Sequence, residues 1–560
     1  MQRVVIIGGV AGGASAAARL RRLNEDIEII MLDRGSFVSY ANCGLPYFIG
    51  HVIQDPSTLE LVKPQQFRNR FNVDARVNHE VKSIDRDKKT VSVKDLVKNE
   101  QYQLSYDYLI LSPGAEPIKP SIPGIEKVPV FLLRTIPDAV LIRDYIEKNE
   151  SQKVVIVGGG FIGLELAENL RAISMSVTIV EMLDQVMPPL DREMAQFIHK
   201  ELISNGVCLF LEDPVDSVGR TNKNHPFIKT KNGRVIETDL IVLSIGIKAE
   251  GKLAREAKLD LGPKGHILVN KHMQTSDPAI YAVGDVVQVS DLITGQPLAI
   301  PLAGPANKQG RIAAENICGR NTKYNGILGT AVVKVFDLTI ASVGLSEKSL
   351  KNTKIQYEKV YLHPNNHTNY YPGAIPMAVK LLFETPSGRI LGAQIVGGPG
   401  SDKRIDIIST LIKMGGTVFD LEELELAYAP PYGSAKDAIN LAGFIAANVL
   451  RGDQPIWHWH DLAKIKERNG FILDVRTPGE YKLGTIEGAI NIPDTLLRQK
   501  FNELPQDRPI YTFCAVGYRG YLATRTLLQH GFKEVYNLSG GYTTFNVARS
   551  RTENVIKACG

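Results

Sequence analysis

The sequence predicts an α/β chain of several domains, and three observations carry that expectation. A strand, a glycine-rich turn, a helix and a second strand ending in an acid follow one another twice, from Arg3 to Asp33 and from Lys153 to Glu181. At roughly 150 residues per domain, 560 residues allow three to four domains rather than one small core. After the linker-like stretch RGDQPIWHWHD, a separate alternation of apolar strands (GFILDV, PIYTFC, EVYNL) and helical segments begins. A content of 44% hydrophobic and 22% charged residues is ordinary for globular chains and leaves little room for extensive disorder. No uninterrupted apolar run approaches the ~18 to 20 residues of a membrane span, so no membrane partner is expected. The strand pattern starts by the third or fourth residue, leaving no room for a signal peptide, and a cytoplasmic location follows by elimination.

The first repeat reads RVVIIGGVAGGASAAARLRRL, then IEIIMLD; the second reads KVVIVGGGFIGLELAENLRAI, then VTIVE. In this context the glycines allow a tight turn and a close backbone approach. The helix N-terminus presents N–H groups and a positive dipole end to a pyrophosphate, and the acid accepts hydrogen bonds from ribose hydroxyls. The second copy is complete, with Gly158, Gly160, Gly163 and Glu181. The first departs from it, because Val10 stands where the second glycine would, between Gly8 and Gly13. Between the repeats, residues 72–120 hold short alternating strands with charged turns. AIYAVGD at 279–285 is an apolar strand closing on Gly284 and Asp285, and residues 326–450 form a mixed α/β region rich in Gly and Pro.

The net charge of +5 is spread along the chain without a block of like charges, which argues against nucleic acid and suits a small polyanion. Five cysteines in a chain of this length are no disulfide framework. Cys208 and Cys318 lie in apolar contexts and read as packing residues, and Cys559 as incidental. Cys43, in SYANCGLPY, has no cysteine within a hundred residues on either side, so it cannot form a local disulfide. WHWH at 457–460 and His363 with His367 have metal-like spacing, but no acid or thiol completes a site, and no metal is expected.

GGVAGG with Asp33, SPGAEP at 112–117, GGGFIG with Glu181 and YAVGD at 281–285 together resemble the two-dinucleotide-binding flavoprotein disulfide reductases over residues 1–450. The resemblance implies two Rossmann-like dinucleotide-binding domains, for FAD (1–120 and 250–325) and NAD(P) (121–249), and an α+β dimerisation domain (326–450). It implies cofactor contacts at Gly8, Val10, Ala11, Gly12, Gly13, Asp33, Arg34, Val81, Gly114, Ala115 and Arg134. Further contacts are implied at Gly158, Gly160, Phe161, Ile162, Gly163, Glu165 and Glu181, and at Gly284, Asp285, Pro301, Leu302 and Ala303. With no nearby arginine in EMLDQ, the stretch that opens on Glu181, to hold a 2′-phosphate, NADH is expected over NADPH.

Single-cysteine members of that family follow two chemistries. NADH oxidases and peroxidases cycle the thiol through sulfenic acid, whereas coenzyme A-disulfide reductases form a mixed disulfide with CoA. Peroxidases carry a catalytic histidine where Val10 stands, which favours the second chemistry. Ser15, Arg19, Arg22, Ser39 and Asn42 match family CoA contacts, as do Lys436 and, more weakly, Asn307. A pair of arginines is a suitable cradle for the phosphates of CoA, although a solvated basic helix face would account for each arginine alone. Tyr370 and Tyr428 match tyrosines that the partner subunit of a homodimer supplies near the substrate sulfur, which makes the active site a shared one.

Residues 457–560 resemble a C-terminal α/β rhodanese domain through LDVRTPGEY, GTIEGAINIP, CAVGYRG and NLSGGY. Cys514 follows a strand, and its loop, closing at Arg519 on a helix start, aims backbone N–H groups at the sulfur; such a loop stabilises a persulfide anion. Arg519 adds positive charge, and Arg476 reads as a structural contact. The expected function is an FAD-dependent NADH reductase of CoA disulfide or of CoA persulfide and polysulfide, coupled to a sulfur carrier. The alternatives are an NADH oxidase or peroxidase, and a sulfur-trafficking or redox-sensing protein led by the rhodanese domain.

Overall fold

The computed structural model describes residues 2–550. The chain divides into two compact units, Met1–Met182 with Asp213–Gly329, and Leu183–Glu212 with Thr330–Gly560.

In the first unit, five strands pair in parallel in the order Ile280–Ala282, Tyr108–Leu111, Arg3–Ile7, Glu28–Leu32 and Val73–Arg76. Parallel strands covered on both faces read as continuous apolar runs, which explains VVII and IIML; Val4, Val5 and Ile6 are fully buried. The helix Ala11–Leu23 leaves the central strand and packs on the helix Ala303–Ile317. Their backbones come so close that a Cβ on Gly310 would lie 2.2 Å from the Gly12 carbonyl oxygen. The chain leaves Arg3–Ile7 toward strands on both sides, so the carboxyl end of that strand is the switch point where open α/β sheets hold ligands. The second repeat builds the same arrangement, with Ser176–Val180, Lys153–Val157, Leu240–Leu243 and Val130–Leu132 side by side and parallel. The short charged strands form an antiparallel sheet of His79–Asp85, Thr90–Asp95 and Glu100–Ser105. Val81 belongs to the hydrophobic core beneath that sheet, with Val91 and Val93.

In the second unit an antiparallel sheet runs Ala331–Val335, Leu338–Gly344, Ile390–Gly397, Ala378–Glu384 and Tyr357–Leu362. A separate parallel sheet follows the linker in the order Ile456–Trp457, Val535–Leu538, Ile510–Phe513, Phe471–Asp474 and Ile490–Asn491. The exposed edge of Tyr357–Leu362 is covered by this last module: the Tyr361 N–H donates to Ser539 Oγ at 2.9 Å, and His458 pairs with Glu358 at 3.0 Å. His460 lies 3.1 Å from Lys359 Nζ and His363 lies 2.7 Å from Thr544 Oγ1, so histidines of WHWH and His363 contribute to this contact. Asp191, Glu193 and Glu347 place ligand atoms within 4.8 Å of one another. The fully buried Lys380 ammonium pairs with all three, at 2.8 Å from Asp191 and 2.9 Å from Glu347, and so fills the cation's place. No helix among the described residues is long and apolar enough to cross a membrane. Cys318 is half-buried against the first unit's core, and Cys559 lies outside the described residues.

Candidate active site

The first glycine turn is fixed by its own backbone. Gly8 has φ +95°, and a Cβ there would fall 2.0 Å from the Ser112 carbonyl oxygen. Asp33 folds back on the turn, accepting from the Gly9 N–H at 2.9 Å and the Gly35 N–H at 2.8 Å. Burial raises its carboxyl above the usual range, and these N–H groups and the charges of Arg34 and Arg134 oppose the rise. Arg34 and Arg134 converge on Glu250, at 2.6 and 3.1 Å, and Arg134 also donates to the Pro113 carbonyl beside Gly114 and Ala115. At the end of Ile280–Ala282, the Gly284 N–H donates to Gln309 Oε1 at 2.8 Å, and burial raises the carboxyl of Asp285. Pro301, Leu302 and Ala303 form the N-terminus of the helix that carries Gln309.

The second turn repeats this construction. Gly158 has φ +106° and its Cβ would meet the Ser244 carbonyl at 2.4 Å, while the Gly159 N–H donates to Glu181 Oε2 at 2.7 Å. Gly163 packs against Gly158, 2.2 Å from a Cβ to its carbonyl oxygen. Gly160 is different: a Cβ there would touch nothing within 4 Å, and its φ of −80° suits any residue. Space kept clear at a helix N-terminus, with no protein atom requiring it, fits a pyrophosphate approaching the backbone. Phe161 and Ile162 begin that helix, and Ile162 is exposed.

Cys43 is a free thiol in the exposed 3-10 turn Asn42–Gly44. Ser39, held at φ +48°, donates its N–H to the Gly9 carbonyl at 2.7 Å, which ties this segment to the first glycine turn. Desolvation, and then the charges of Glu165 and Asp285, raise the Cys43 thiol above its ordinary value. Glu165 is itself pushed up to about 7 by burial and by Glu168, and it hydrogen-bonds Tyr47, one helical turn beyond Cys43, whose hydroxyl rises to about 12. Ser15 Oγ donates to Asn307 Oδ1 at 2.9 Å, so two residues 292 positions apart in sequence meet. The arginines of the same helix are not equivalent: Arg19 is paired with Glu315 at 2.5 Å, while Arg22 is exposed.

The description Pyridine nucleotide-disulphide oxidoreductase matches residues 2–310, its dimerisation domain matches 330–438, and a rhodanese-like domain matches 458–548. The chain belongs to the pyridine nucleotide-disulphide oxidoreductases. It is 37% identical over 447 residues to a coenzyme A disulfide reductase of Staphylococcus aureus, covering 80% of this chain and all of that one. It is similar to the crystal structure of reduced Bacillus anthracis CoADR-RHD, with a TM-score of 0.95, 48% identity and 98% of each chain covered. It is also similar to a NAD-dependent persulfide reductase from A. fulgidus, with a TM-score of 0.90, 37% identity and 97% and 100% of the two chains covered. The family uses FAD and NAD(P)H, which fits the two glycine turns described above.

In this oxidoreductase the second unit brings together two of the predicted residues. The Tyr370 and Tyr428 hydroxyls, 58 positions apart in sequence, are hydrogen-bonded at 2.5 Å, and that bond raises the Tyr428 hydroxyl above its usual range. Tyr370 is 73% exposed and Tyr428 43%; Lys436, farther along the same segment, is exposed too. Cys514 follows Ile510–Phe513 and is buried, and the Gly517 N–H donates to its Sγ at 3.2 Å, one of the backbone donors expected from the sequence. The Arg519 fork goes to Glu480, at 2.7 and 2.9 Å, and holds that carboxyl near 2. Arg476 is buried against Asp474 and the Gly484 carbonyl, a structural contact as expected. Sequence reasoning passed over Gln309, Glu250 and Tyr47. Gln309 stands two residues beyond Asn307 in PLAGPANKQG, but a glutamine accepting one backbone N–H leaves no pattern in sequence.

Proposed function

We propose that this oxidoreductase is an FAD-dependent NADH reductase of coenzyme A disulfide and CoA persulfide, with Cys43 as its single redox cysteine and Cys514 as an attached sulfur carrier. The observation that carries the reading is a free thiol tied through Ser39 to the first glycine turn, with no cysteine within a hundred residues of it in sequence to close a local disulfide. The resemblance to a CoA disulfide reductase and to a persulfide reductase supports the substrate class. Val10, where a peroxidase would carry histidine, speaks against peroxide.

The glycine turn at Gly8–Gly13 with Asp33, Gly114, Ala115, Arg134, Gly284 and Asp285 holds FAD, and Gly158–Gly163 with Glu181 holds NADH. The Glu181 carboxylate at its strand end repels a 2′-phosphate, which disfavours NADPH. When bound, these groups supply hydride transfer and return an electron pair to sulfur. The Cys43 thiolate attacks one sulfur of CoA disulfide; the sulfur–sulfur bond breaks, Cys43 keeps one CoA as a mixed disulfide, and the other leaves as a thiolate. In a homodimer, Tyr370 and Tyr428 of the partner subunit donate hydrogen bonds to the sulfur that gathers charge. Ser15, Arg22, Ser39, Asn42 and Asn307 contact CoA, and Lys436 of the partner subunit, on the same segment as the partner's Tyr428, joins them; Arg19 does so once it exchanges Glu315 for a phosphate. Cys514 carries sulfane sulfur to or from the CoA persulfide.

Steady-state consumption of NADH with CoA disulfide, CoA persulfide, oxygen and peroxide, compared side by side, tests the reading. Turnover with the two CoA substrates should exceed that with oxygen and peroxide. Peroxide or oxygen as the best acceptor would replace the reading with an oxidase or peroxidase.

A further inference from the structure

Tyr370 and Tyr428 stand on two segments without regular structure, one between Leu362 and Ala378 and the other between the helices Val418–Glu423 and Ala438–Arg451. Tyr370 is largely exposed and Tyr428 partly so, so packing alone does not set their positions. What holds the segments lies beneath them. Arg404, in the first turn of the helix Ser401–Met414, is 2% exposed. Its Nη2 donates to the Asn366 carbonyl at 2.9 Å and to Asp437 Oδ2 at 2.6 Å; Nε donates to Asp437 Oδ1 at 3.1 Å and Nη1 to the Gly400 carbonyl at 3.1 Å.

Those partners are the roots of the two tyrosine segments. Asn366 closes the first: its backbone N–H donates to the Ile375 carbonyl at 2.9 Å, and its side-chain oxygen accepts from the Ile375 N–H at 2.9 Å. Asp437 ends the second and caps the helix that follows, accepting from the Ile439 N–H at 3.1 Å. The far end of the second segment is held by Asn440, which donates to the Leu421 and Leu424 carbonyls. Nearer their roots the two segments also meet where the Thr368 N–H donates to the Gly433 carbonyl at 3.1 Å.

We propose that Arg404 is a positioning residue for the reaction: its buried guanidinium fixes the two segments at the spacing at which the Tyr370 and Tyr428 hydroxyls meet, so that both address one sulfur. The proposal rests on the role given to these tyrosines above. A buried ion pair adds little stability over an apolar pair of the same shape, but a planar fork with several donors dictates where its partners stand. A lysine supplies one point charge and cannot hold Asp437 and the Asn366 carbonyl in that geometry.

The test uses the full-length holoenzyme with Arg404→Lys. The double variant Arg404→Met with Asp437→Asn leaves no buried charge unpaired and guards against misfolding. Reduction of the flavin by NADH in a single turnover should keep its native rate, while turnover with CoA disulfide should fall about 100-fold, the cost of a misplacement of about 1 Å. In a Tyr370→Phe, Tyr428→Phe background the same change should add less than about twofold, because Arg404 acts through the tyrosines. A full additional loss in that background, or an equal slowing of flavin reduction, would overturn the proposal. As a second readout, 3-fluorotyrosine at position 428 should titrate at higher pH in the native protein than in Arg404→Lys, followed by fluorine NMR; identical titrations would also overturn it. If the paired phenylalanine variant keeps native turnover, the role of the tyrosines fails, and the fluorine titration decides the positioning role by itself.

Discussion

Gly160→Ala separates the ligand's demand for glycine from the fold's. In the free protein the new Cβ meets nothing within 4 Å, and φ −80° suits alanine, so the fold has no objection. Alanine gains roughly 0.4 to 1 kcal/mol by restricting the unfolded chain and loses a similar few tenths to 1 kcal/mol as a poorer N-cap. The net change is within about 0.5 kcal/mol, or about 2 °C in Tm. With NADH held at this turn as proposed, the methyl group would stand where the pyrophosphate approaches the helix. Losing one charge-assisted hydrogen bond there costs about 1.5 to 3 kcal/mol, a rise in Kd of roughly 10- to 150-fold. Gly158→Ala is the contrast: φ +106° and a Cβ 2.4 Å from the Ser244 carbonyl should cost the fold itself about 2 to 4 kcal/mol. The assay pairs thermal denaturation with stopped-flow flavin reduction over a range of NADH concentrations. Native NADH affinity in Gly160→Ala, or destabilisation of that variant matching Gly158→Ala, would show that Gly160 is not kept clear for the pyrophosphate.

Two further outcomes follow from the site. The Glu165 carboxyl is raised to about 7 from an ordinary 4.5, by burial first and then by Glu168. The folded chain therefore keeps a proton that the unfolded chain has released, and stability falls as pH climbs through that window. Glu165→Gln removes the effect, so the Tm of the variant minus that of the native protein should grow between pH 5 and pH 8; a flat difference would show that Glu165 is an ordinary carboxylate. Cys514→Ser should leave turnover with CoA disulfide unchanged and depress turnover with CoA persulfide, measured as NADH consumption. Native persulfide turnover in that variant would remove the carrier role.

The features legible in the sequence are those whose cause is local. A tight turn with φ near +100° demands glycine, so Gly8 and Gly158 announce themselves, and the valine and isoleucine runs ahead of them announce doubly covered parallel strands. The Cys514 loop is equally local, since its N–H donor to sulfur is three residues away. Contacts between distant segments leave no such mark. The Arg19 pairing with Glu315 spans 296 positions, and nothing in ASAAARLRRL distinguishes it from the exposed Arg22. Arg519 is drawn to Glu480 because a helix-capping acid 39 positions earlier lies under its fork, which a count of positive charges near a thiol does not foresee. Arg404 carried no signal at all, because a buried arginine and an exposed one are the same letter until the fold places Asn366 and Asp437 beside it. Likewise residues 183–212 belong by compactness to the unit with 330–560, although they continue the second glycine repeat in sequence.

In the proposed cycle Cys43, with no neighbouring cysteine in sequence, holds CoA covalently at each turnover. The most direct test is mass spectrometry of the holoenzyme after NADH reduction, brief exposure to CoA disulfide and acid quenching. One CoA in disulfide linkage is expected on the peptide containing Cys43, reversed by NADH and absent in Cys43→Ser. A sulfenic acid on Cys43 without CoA, or CoA found on Cys514 or Cys318 alone, would contradict it.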